Sequence, residues 1–109
     1  MNKKEFKGLL SKLNITFNEG ITNLTGTDIY PRLDYWKIAS EDQSASDDVY
    51  NEIDTYQVSF YSRTPEHNKY LELRKLLRTK GLRPQFLFEF EAEDRLWHTY
   101  FSIELVVDG

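Results

Sequence analysis

The segment EIDTYQVSFYSRTPEHNKYLELRKLLRTKG, residues 52–81, decides the fold. From Ile53 to Ser62 the residues alternate, with Tyr56, Val58 and Phe60 on one side and Gln57, Ser59 and Tyr61 on the other. This is the period of a half-buried strand. Thr64-Pro65 ends the alternation: Thr64 suits a helix N-cap, Pro65 the first helical position, and Glu66 a first turn where the dipole favours an acid. Tyr70, Leu73, Leu76 and Leu77 then recur at helical spacing. Lys75, Arg78 and Lys80 crowd the last turns, and Gly81 supplies a left-handed stop.

Upstream, Phe6, Leu9, Leu10 and Leu13 form one apolar stripe among lysines, predicting a helix over 3–13. A short strand is expected over 15–18. Residues 19–31, with Gly20, Gly26 and Pro31, read as a long loop. Residues 32–39 resemble a strand in which Leu33/Tyr35 compete with Trp36/Ile38 for the inner face. The polar stretch SEDQSASDDVYN (40–51) has too little apolar content to fold alone and reads as a loop. Downstream, Phe86, Phe88 and Phe90 alternate with Leu87, Glu89 and Glu91, and residues 96–107 alternate likewise after an acidic turn at 92–95. The expectation is a single α+β domain over residues 1–109, in the order α-β-β-β-α-β-β. Its mostly antiparallel sheet of four to five strands carries both helices on one face, with the phenylalanines beneath them. The other face, with Tyr61, Leu87, Tyr100 and Val106 among polar groups, is half-apolar.

Composition narrows the function. The 109 residues are 39% hydrophobic and 15% aromatic, and the absence of cysteine removes disulfides, thiolate metal sites and thiol nucleophiles. No run approaches the length of a signal peptide core or a membrane span, so cytoplasmic use is expected. His67 falls where it helps cap the second helix, and His98 alternates outward on the last strand. Asp47-Asp48 are adjacent without apolar surroundings to raise a pKa. Glu89 and Glu91 share a strand face, a possible divalent-ion contact but more often a solvated edge. With no phosphate loop or nucleophile elbow either, no enzyme and no cofactor are expected.

Charge is distributed unevenly within a net −4. Residues 41–54 hold six acids (Glu41, Asp42, Asp47, Asp48, Glu52, Asp54) and no base, whereas residues 63–83 hold seven bases against two acids. Each segment reads equally well as a solvated face or, in an assembly, as one side of a heterologous contact in which the acidic segment of one copy meets the basic helix of the next. Asp47, Asp48, Arg74, Lys75 and Arg78 are the candidate interface residues. The alternative is a small module that binds RNA or protein through its sheet face, although acids on that face oppose phosphate.

The run DIYPRLDYWKIASEDQSASDDVYNEIDTYQVSFYSRTPEHNKYLELRKLLRTKGLRP (28–84), with FEFEAEDRLWHTYFSIEL (88–105), resembles the tail-terminator, or tail-completion, proteins of long-tailed phages and prophages. The likeness rests on the YPR…YW strand, the acidic segment, YQVSFYS leading into proline and a helix, and EDRLWHTYF. It implies a structural role without catalysis. Such proteins form a ring, typically hexameric, on the end of the tail tube, stop its growth and present the joining surface to the head connector. The implied partners are other copies of the chain, the tail-tube protein and the head-connector or stopper protein, with DNA only as passing cargo and no membrane. The implied location is the host cytoplasm during assembly and then the head–tail junction of the virion. The resemblance assigns no contact residue.

Overall fold

The computed structural model describes residues 1–20, 29–44 and 50–107. Its elements are α1 (Lys3–Ser11), β1 (Thr16–Glu19), β2 (Arg32–Ser44), β3 (Tyr50–Ser62), α2 (Asn68–Thr79), β4 (Leu87–Glu91) and β5 (Leu96–Val106). The expected α+β order is present. The five strands form one sheet in the order β1-β2-β3-β5-β4. β2–β3, β3–β5 and β4–β5 pair antiparallel, but β1 lies parallel to β2, so the sheet is mixed. A parallel neighbour cannot follow from a tight hairpin, and the long connection between β1 and β2 meets that requirement.

One face of the sheet carries the core. Leu33 and Tyr35 of β2, Tyr56, Val58 and Phe60 of β3, and Phe101, Ile103 and Leu105 of β5 join Phe6, Leu9, Leu10, Leu13, Tyr70, Leu73 and Leu77 in one buried cluster. Both helices therefore cover the same face. Phe6 meets Tyr35 edge-on at 5.5 Å between ring centroids, and Tyr70 tilts against Phe60 at 6.4 Å. α1 starts with a capping box. The Asn2 side chain accepts from the Glu5 N–H at 2.8 Å, and the Asn2 N–H donates to Glu5 Oε1 at 3.2 Å. Asn2→Ala is expected to cost about 1 kcal/mol in chemical denaturation, the usual worth of such a cap.

Four expectations change. The second helix starts later than Thr64: its N-cap is His67, whose ring Nδ1 accepts from the Lys69 N–H at 3.0 Å. Thr64, Pro65 and Glu66 form the turn before it, with Glu66 at φ 47°, so no acid occupies the first helical turn. Second, residues 40–44 and 50–51 are not loop but ladder, from Ser40↔Asp54 to Ser44↔Tyr50. Backbone hydrogen bonds hold such an arm without apolar side chains, which is why hydropathy missed it. β5 stops at the Ile53↔Val106 pair, so the arm beyond is two strands wide. Third, of Phe86, Phe88 and Phe90, Phe86 alone is largely covered by the core; Phe88 sets one edge-on contact against Tyr70, at 5.6 Å, but is 55% exposed, and Phe90 is 49% exposed. Finally, the contest in β2 goes to Leu33 and Tyr35, and a register shift between Lys37 and Ala39 leaves Ile38 exposed.

Candidate functional site

The basic end of α2 forms a cleft. Arg74 and Arg78, one turn apart, share a helix face. Gly81, at φ 76°, then reverses the chain, with its N–H bonded to the Arg78 carbonyl and the Leu82 N–H to that of Leu77. The reversal brings Arg83 back beside them. The three arginines line a concavity of about 230 Å³ with Leu82, Pro84 and Phe86, and among the described residues no acid lines it. The Arg74 guanidinium sits 5.6 Å from the centre of the Phe86 ring, which fixes its direction. Planar guanidinium groups around an apolar floor suit carboxylates, which they bind in bidentate fashion.

Of the residues singled out in sequence, Arg74 and Arg78 are thus brought together. Lys75 is exposed on the same helix and does not line the cleft. Asp47 and Asp48 lie outside the described residues. Arg83 had been counted among the bases but not placed; the glycine stop followed by Arg83-Pro84 was its signal.

A second basic concavity was not foreseen. Lys3, Lys4 and Lys7 of α1 and Lys37 of β2 line about 530 Å³ with Asp54 and Tyr56 at its side. The α1 lysines were visible as a helix surface, but Lys37 joins them only because β2 lies beneath α1. Much of this charge is already answered. Lys3 pairs with Glu19 at 2.6 Å and Lys37 with Asp54 at 3.1 Å.

The Ser40 hydroxyl donates to Asp54 at 2.7 Å and, with Lys37, holds that carboxyl below its ordinary pKa of 3.8. A depressed folded-state pKa means the unfolded chain takes up the proton first. The stabilisation is therefore complete above the ordinary value and is lost as pH falls through the lower folded one. Urea denaturation from about pH 5 to pH 3 is expected to show a loss that Ser40→Ala reduces. An identical acid slope in the variant would contradict the assignment.

On the open face a ladder of side chains crosses four strands in register, Arg32, Tyr61, His98 and Glu89. The Arg32 guanidinium lies 4.7 Å from the Tyr61 ring centre, and Tyr61 stacks on His98 at 4.6 Å with the planes 8° apart. His98 Nδ1 meets Glu89 Oε1 at 2.8 Å, and Tyr100 stacks on the same imidazole at 4.8 Å. His98, expected to point outward, does leave the helix side of the sheet, but it is only 8% exposed because neighbours on three strands enclose it. Asp34, also on this face, is buried beside Arg32 at 3.7 Å. Burial among these rings pushes the Tyr61 hydroxyl pKa up.

The ladder consumes its own ring faces. Tyr61 and His98 face one another, so those faces are closed to a nucleic-acid base. Glu89, Glu91 and His98 place three potential metal-donor atoms within 4.8 Å of one another. There the imidazole is already hydrogen-bonded to one of the two carboxylates, which accounts for the group as a hydrogen-bonded pair beside an exposed edge.

Comparison with known proteins finds no matching family model and no significant match among curated proteins. Among the described residues no helix is long and apolar enough to cross a membrane.

Proposed function

We propose that this protein is a structural assembly module, a tail terminator that caps a phage tail tube as a ring and offers the surface to which the head connector joins. The observation that carries this reading is the separation of charge into complementary parts. Arg74, Arg78 and Arg83 converge on a cleft with no acid among its described lining residues, while the β2–β3 arm belongs to a segment with six acids and no base. Two different complementary patches on one chain favour head-to-tail contacts between copies, and such contacts close into a ring when the rotation allows. The sequence likeness over 28–105 supplies the rest: a typically hexameric ring, the tube protein and head connector as partners, DNA as passing cargo, and a final place at the head–tail junction. No catalytic step belongs to this role.

The alternative, an RNA- or protein-binding sheet face, gains little for RNA, since the central aromatic rings stack on one another. The test is polymerisation of the tail-tube protein of the same phage with and without this chain. Capped tubes that stop growing support the proposal. Tubes that elongate unchanged, with the chain left unbound, contradict it.

A further inference from the structure

We propose that the free edge of β4 docks an extended segment of a partner protein in which basic and apolar residues alternate. Among the described residues β4 is an outer strand of the sheet and pairs with β5 along one side only. Its outward N–H and C=O groups are therefore available to a further strand.

The side chains of β4 specify that strand. On the helix side, Phe88 and Phe90 stay largely exposed. The turn before α2 borders a concavity of about 260 Å³ lined by Pro65, Glu66, Phe88, Trp97, His98 and Thr99, most of whose surface is apolar. On the opposite side stand Glu89 and Glu91. A strand laid against β4 alternates in step with it, setting apolar residues beside Phe88 and Phe90, one of them in the concavity, and Lys or Arg beside the glutamates.

A second copy of this chain does not match that pattern. β4 paired with β4 opposes glutamate to glutamate, which destabilises a ladder. The other edge, β1, presents Thr16 and Asn18 on the open face, in register with Arg32 and Asp34 of β2, and so brings no base to the acids. The site is independent of the ring and stands whether or not copies assemble.

The probe is a short capped peptide of alternating lysine and valine, added to the full chain while amide hydrogen exchange is followed by mass spectrometry. Protection of the β4 amides is expected, together with loss of binding when the peptide backbone is N-methylated at alternate residues. Glu91→Lys is expected to weaken binding about tenfold by placing like charges opposite. Unprotected β4 amides at saturating peptide, equal binding of the N-methylated peptide, or an affinity unchanged by Glu91→Lys would each overturn the proposal. So would β4 protection that arises from self-association without peptide.

Discussion

Phe60→Ala is expected to destabilise the domain by about 3–5 kcal/mol, a large share of the roughly 5–15 kcal/mol that holds such a domain together. Phe60 is fully buried at the centre of the core face. It pairs with Leu33 on one side and Thr99 on the other, and its ring lies against those of His67 and Tyr70. Truncation leaves a cavity that two helices and three strands cannot close together. Phe90→Ala is the control. Phe90 alternates in sequence like a core residue, but its packing reduces to one ring contact, with Trp97 at 4.8 Å. About 0.5–1.5 kcal/mol, the size of one aromatic pair, is expected there. Urea denaturation of the two variants measures the difference, and equal losses would contradict the placement of α2.

The second large effect is on assembly. Arg74→Glu with Arg78→Glu is expected to abolish capping of tail tubes while the folded state loses only about 1 kcal/mol, from the guanidinium over Phe86. Charge reversal at Asp47 and Asp48 to lysine is expected to abolish it likewise with folding intact. Combining the two reversals restores the complementarity and should recover capping, which general damage to either surface would not do. Sedimentation with tubes gives the readout, and thermal denaturation gives the control for folding.

Much of the fold was legible because packing and periodicity agree. The stripe Phe6, Leu9, Leu10 of α1, continued by Leu13 in the turn after it, and the β3 alternation Tyr56, Val58, Phe60 are buried as their spacing predicts. The parts that were not legible depend on partners distant in sequence. His67 displaces Thr64 as the cap because its ring reaches the Lys69 N–H, and a Thr-Pro-Glu run fits an N-terminus equally well by residue type. Phe88 and Phe90 stay largely exposed, which no local pattern records. The arm is a backbone ladder of polar residues, invisible to hydropathy. For the candidate site, the spacing of Arg74 and Arg78 was enough to place both on one face. Arg83 needed the Gly81 reversal, and Lys37 needed the position of β2 under α1.

The central claim, that the acidic segment of one copy meets α2 of the next, is tested most directly by carbodiimide cross-linking of tube-bound protein mixed from isotopically light and heavy copies. Lys75, exposed beside the arginine cleft, is the acceptor to follow. The account predicts mixed light–heavy cross-links from Lys75 to carboxylates of residues 41–54. Cross-links confined to single copies, or an assembled ring whose Lys75 couples only to acids elsewhere, would contradict it.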